Sequence, residues 1–118
     1  MLADSKANPT RETASVLFMV IERFAANDMV PIYQRVRSEG RMLPDGLEYI
    51  DSWVEPNFAR CFQLMRCDDL RLFQEWALKW RGSGATFEIV PVVPSQETRD
   101  VVAPYLDDVD AAEQHPQR

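Results

Sequence analysis

The apolar positions of this chain fall into three patterns: dense runs, a helical repeat, and near-alternation. Ser15–Phe24 (SVLFMVIERF) is crowded with β-branched and aromatic side chains, which suits a central strand. Asn27 and Asp28 are good helix-capping types, and Pro31 is tolerated in a first turn. Met29, Ile32, Tyr33 and Val36 then recur at helical spacing until Gly40 supplies a stop. Pro44-Asp45-Gly46 is a turn signal, because proline presets φ and glycine accepts positive φ. Leu47–Val54 and Arg60–Cys67 follow as two more strands. Asp68 or Asp69 caps a second helix with Leu72, Phe73, Trp76 and Trp80 on one side, ended by Gly82-Ser83-Gly84. Thr86–Val93 is a fourth strand, and Pro91 places it at a sheet edge. Ser95 caps a short helix through Val101 and Val102, which Pro104 interrupts or restarts, and the acidic end beyond it frays.

The order β-α-β-β-α-β predicts an α+β fold of the ferredoxin-like, split βαβ kind. That fold is a four-stranded antiparallel sheet in order 4-1-3-2 with two helices on one face. With Glu55–Ala59 as the loop, Val54 faces Arg60 and Glu48 faces Arg66, an opposite-charge pair that supports the register. The same register puts Tyr49 with Met65, Asp51 with Gln63 and Trp53 with Cys61 on one face. Ile50 with Leu64 and Ser52 with Phe62 lie on the other. Neither face of this hairpin is wholly polar, so a homodimer burying the sheet face away from the helices is expected.

Length and composition narrow the class. The 118 residues fit one domain, with 46% apolar and 27% charged residues, an ordinary globular usage. The division is a flexible arm at 1–14, the α+β domain at 15–95, and a short helix with an acidic flexible tail at 96–118. The net charge is −6, and Gln96–Arg118 carries most of it through six acids against two arginines. No basic field exists to hold nucleic acid or an anionic membrane. Met1–Ala14 has no apolar run and does not read as a signal peptide, and Val16–Ile21 is too short an apolar stretch to span a bilayer. Cys61 and Cys67 on one strand would stand roughly 20 Å apart, too far to bridge. They read as reduced thiols of a cytoplasmic protein.

The stretches LFMVIERF, GLEYIDSWVEPNFARCFQLMRCDD, LFQEWALKW and FEIVPVVPS resemble a bacterial family, domain of unknown function 3303. The likeness covers Val16–Ser95, and its most specific part is the YIDSW…RCFQLM block. The resemblance implies a compact α+β domain related to dimeric α+β barrels. It brings no catalytic residues to carry over.

Candidate chemistry is sparse. His115 is the sole histidine and lies in a polar tail, which argues against a Ser-His-Asp or Cys-His arrangement. Metal-site spacings are absent and no cofactor fingerprint is present, so neither metal nor cofactor is expected. Gly82-Ser83-Gly84 follows a helix instead of opening one and is no phosphate loop. The set Tyr49, Asp51, Trp53, Cys61, Gln63 and Met65 mixes aromatic and soft walls with hydrogen-bonding groups, as small-molecule pockets do. Asp51 is the first candidate base and Glu22 the second, with Tyr33, Tyr49 and Gln63 orienting a ligand and Trp53 as wall. The competing reading makes Asp51 a register-holding carboxylate, Cys61 a structural thiol, and Phe73, Trp76 and Trp80 a core stripe. Arg35, Arg37 and Arg41 suit the dipole at the end of the first helix, or an anionic substrate. The functional expectation is a small-molecule-binding domain with its pocket between sheet and helices, compatible with a cofactor-independent enzyme. The alternative is a non-enzymatic dimeric interaction or accessory module.

Overall fold

A computed structural model describes residues 15–113, with side chains through 106. The expectations for the 1–14 arm and His115 lie outside the described residues. Strand β1 (Val16–Phe24) leads through a 3₁₀ turn at Ala25–Asn27 into helix α1 (Val30–Glu39). Strands β2 (Glu48–Val54) and β3 (Arg60–Cys67), helix α2 (Arg71–Lys79), strand β4 (Ala85–Val92) and helix α3 (Ser95–Glu113) follow. The fold is α+β, with one open four-stranded antiparallel sheet and three helices. Strand order is β2-β3-β1-β4, which is 4-1-3-2 counted from the β4 edge. β4 is an edge strand, so Pro91 leaves no internal ladder bond unmade.

Local chemistry places the ends of these elements. Asp28 Oδ1 accepts from the Val30 N–H at 3.0 Å, and Asp69 Oδ1 from the Arg71 N–H at 3.0 Å. Each carboxylate thereby satisfies a donor that the first helical turn leaves open. Gly40 closes α1 at φ 74°, its N–H donating to the Val36 carbonyl. The Leu47 N–H donates to the Pro44 carbonyl at 3.1 Å, closing a turn that holds Gly46 at φ 97°. A Cβ at Gly46 would also stand 3.1 Å from Leu72 Cδ1.

The alternate residues Phe18, Val20, Glu22 and Phe24 of β1 and Cys61, Gln63, Met65 and Cys67 of β3 are buried. Ile32 of α1 and Phe73 and Trp76 of α2 join the same core, so both helices cover one face of the sheet. Val20 and Met65 are fully enclosed at its centre. Burial of side chains of that size stabilises by about 2 kcal/mol each. Phe18 meets Phe73 edge-on with ring centres 4.9 Å apart.

Two expectations need correction. The β2–β3 register holds at Glu48–Arg66 and Tyr49–Met65 and then shifts by one residue between Tyr49 and Asp51. Beyond this bulge Asp51 pairs with Leu64, Ser52 with Gln63, Trp53 with Phe62 and Val54 with Cys61. Every side chain after Ile50 therefore faces the side opposite to the one expected. The second correction is α3, which runs from Ser95 to Glu113 with Pro104 inside it. A single missing N–H does not end this helix, and none of its described side chains is buried.

Candidate functional site

The buried polar side chains on the interior face of the sheet are Glu22 and Gln63, 6% exposed each. Glu22 pairs with Cys61 of β3 and Phe87 of β4, whereas Gln63 pairs with Val20, so the two polar side chains are diagonal neighbours across β1 and β3. Gln63 Nε2 donates to Glu22 Oε1 at 2.9 Å. This bond satisfies one donor and one acceptor in surroundings where an unpaired polar group is costly.

Around this pair lies a cavity of about 310 Å³, at the small end for ligand pockets. Its floor is Glu22, Cys61 and Gln63, with Ser52 and Val54 on the β2 side. Ile32, Tyr33 and Val36 of α1, Trp76 of α2 with Trp80 just after it, and Phe87 of β4 form the walls. Arg37 and Arg41 also line it and are exposed, so they stand at its mouth. The indole N–H groups of Trp76 and Trp80 both donate to the Arg41 carbonyl, at 3.0 and 3.1 Å. Two tryptophans one helical turn apart thus fix the chain that leaves α1. The Arg41 guanidinium lies 3.7 Å from the centre of the Tyr49 ring, a cation–π contact that orients it.

Burial governs the protonation of these groups. Desolvation raises the Glu22 carboxyl from its ordinary 4.5 to about 7, against the opposing pull of the Gln63 hydrogen bond and the Arg41 charge. Desolvation, reinforced by the charge of Glu22, pushes the Cys61 thiol up to about 11. The Tyr33 hydroxyl is raised as well, chiefly by desolvation. Near neutral pH the cavity therefore holds one carboxyl poised to gain or lose a proton beside a thiol that stays neutral. A thiolate nucleophile at Cys61 is disfavoured.

Of the residues singled out from the sequence, Glu22, Tyr33, Cys61 and Gln63 come together in this cavity. Asp51 and Trp53 do not, because the bulge turns both to the open face, where Trp53 is 51% exposed. Asp51 Oδ1 accepts the N–H of Ser52 at 2.8 Å, a local backbone contact. Met65 is enclosed in the core and does not line the cavity. Tyr49 stands beside it, sharing a 2.6 Å hydrogen bond with Ser52 and supporting Arg41. In an unbroken strand residues 49 and 52 would point to opposite faces; the bulge brings them to one.

The lining residues Phe87, Ser52 and Ile32 escaped the sequence reading. Phe87 was accessible to it, since β1–β4 pairing sets that ring directly across from Glu22. Cys67, which pairs with Val16 near the far end of the sheet, is buried; its thiol is raised by desolvation and donates to the Asp69 carbonyl at 3.6 Å. Among the described residues, no group of three or more His, Cys, Asp or Glu side chains is arranged to hold a metal ion, and no helix is long and apolar enough to cross a membrane.

A family model described as domain of unknown function (DUF3303) matches residues 16–106. Neither the curated proteins nor the solved structures contain a match.

Proposed function

The chain belongs to the DUF3303 family, and from that premise we propose that it is a small-molecule-binding domain whose cavity lies between the sheet and helices α1 and α2. The observation that carries this reading is the Glu22–Gln63 pair, a protonatable carboxyl held by a neighbouring amide inside a largely apolar cavity. A carboxyl kept near neutrality is suited to accept or return a proton, which extends the reading to a cofactor-independent enzyme with Glu22 as the base. Asp51 has no part in it, and Tyr33 and Gln63 orient the ligand. A fragment screen by amide and indole NMR tests the proposal. Shifts clustered at Tyr33, Gln63 and the Trp76 and Trp80 indoles are expected. Shifts confined to the open sheet face would refute it.

A second reading, an interaction module assembled as a homodimer, rests on the other face of the sheet. The fold is then ferredoxin-like and pairs in the manner of dimeric α+β barrels. Leu17, Met19, Ile21, Trp53, Phe62, Leu64 and Val90 share that face, opposite to the one that α1 and α2 cover. Three ion pairs flank them: Arg23–Glu88, Arg60–Glu55 and Arg66–Glu48. Each margin carries both signs, so two copies related by a twofold axis can set arginine against glutamate. Four strands of about eight residues present roughly 500 Å², and two copies bury about 1,000 Å², the lower bound for a specific interface. The two buried free thiols fit a cytoplasmic, reducing setting. Sedimentation should give a dimer at micromolar concentration that Leu64→Arg converts to monomer. A wild-type monomer there would end the dimer reading.

A further inference from the structure

We infer that the cavity takes a small organic monoanion, its carboxylate held by Arg37 and Arg41 at the mouth and its apolar body set against Trp76, Trp80 and Phe87. The inference rests on the small-molecule reading and names the ligand class.

Arg23, Arg60, Arg66 and Arg71 each have a carboxylate partner within 4 Å. Arg35, in the last turns of α1, donates to the Lys79 carbonyl at 2.8 Å and lies over the Trp80 ring. Arg37 and Arg41 make no ion pair within 4 Å among the described residues, although Arg41 acts on Glu22 at longer range, and both line the cavity. Two guanidiniums at one opening, neither in a close ion pair, form a site that a planar carboxylate can meet with paired hydrogen bonds. Arg41 is also preorganised, since its carbonyl is held by two indoles and its head by the Tyr49 ring. Little ordering is left for the ligand to impose on it.

The interior sets the charge and shape. The groups facing Glu22 are Tyr33 and Arg37 from α1, Arg41 from the following loop and Cys61 from β3; Trp76, Trp80 and Phe87 are not ionisable. A ligand bearing two charges would meet the Glu22 carboxylate as well as the arginines. A single charge meets mainly the arginines, and the aromatic walls favour a flat hydrocarbon body. The arrival of an anion also cancels part of the pull that Arg41 exerts on Glu22. Binding should therefore raise the Glu22 carboxyl further and draw a proton from solution.

Calorimetry on the full chain tests this with benzoate and phenylacetate against the neutral benzyl alcohol and phenylacetamide, each in two buffers of different ionisation enthalpy. The anions are expected to bind at least tenfold more tightly. At pH 7, uptake of up to about half a proton should accompany them, because a carboxyl near 7 is about half ionised there. In Arg37→Gln/Arg41→Gln the preference should fall below threefold. In Glu22→Gln the proton uptake should vanish while the preference for anions stays. Equal affinity for acids and neutral analogues, or a preference that survives the double arginine substitution, overturns the anion assignment and leaves the small-molecule cavity standing. If no probe of either kind binds at millimolar concentration to chain shown folded by circular dichroism, the cavity reading falls and the anion assignment falls with it.

Discussion

Glu22→Gln should stabilise the protein at pH 8 and leave it nearly unchanged at pH 4.5. Gln63 donates to Glu22 Oε1, and the carbonyl oxygen of a glutamine can accept the same bond, so the substitution removes the charge without opening a cavity. Burial raises the Glu22 carboxyl from 4.5 to about 7, so between those values the native state holds more of this proton than the unfolded chain does. Stability from this group is fully present below about pH 4.5 and is lost as pH rises through about 7. At about 1.4 kcal/mol per pH unit, the ionised carboxylate costs the wild type about 3 kcal/mol above that window. For a domain near 100 residues that is on the order of 12 °C in Tm. Thermal and urea denaturation of both proteins at half-unit steps from pH 4.5 to 8.5 isolates the effect, because the groups that feel the Glu22 charge, Cys61 and Tyr33, titrate above that range in the folded protein. The curves should separate progressively with rising pH, the variant above. Parallel curves, or a variant less stable at pH 8, would refute the assignment of Glu22 as a desolvated carboxyl.

Two further outcomes follow from the site and the strand that frames it. With its thiol pushed up to about 11, Cys61 should react with iodoacetamide at pH 8 at least a hundredfold more slowly than N-acetylcysteine, measured by mass spectrometry in a Cys67→Ser background, and Glu22→Gln should accelerate it; a rate within tenfold of the free thiol counts against the assignment. Deletion of Ile50 should leave a folded protein, because Tyr49 and Ser52 stay on the interior face once the bulge residue is removed, at a loss of about 1 kcal/mol for a half-buried isoleucine; loss of the cooperative unfolding transition would show that the bulge itself is required.

The elements and their pairing were legible because several independent signals agreed on each. β1 is a dense run of β-branched and aromatic side chains, which suits a central strand, while Pro91 marks β4 as an edge. The Pro44–Gly46 turn, the Gly40 stop and the two aspartate caps each act within four residues, so their chemistry is local and can be read without knowing the fold. Proline misled only in α3, where one absent N–H weighs less than the hydrogen bonds on either side of it.

The site was half legible, and the division falls at the bulge. Alternation assigns a residue to a face only while the register is unbroken, and one extra residue inverts every position after it. Glu22, Cys61 and Gln63 lie on β1 and β3, whose pairing is continuous, and alternation brings all three to the cavity side of the sheet. Asp51 and Trp53 lie beyond Ile50, where alternation alone points them to the face opposite the one they take. A physical reason for the shift is visible in the neighbours. In the unbroken register Asp51 would face Gln63, whose amide already serves Glu22, and two carboxylates would share one apolar enclosure with a single donor between them. The bulge sets the neutral Ser52 opposite Gln63 and turns Asp51 to solvent, so one buried carboxyl remains where two would repel. Glu22, named second as candidate base, is thus the carboxyl whose environment can tune it, because the strand carrying its rival bends to keep that rival away.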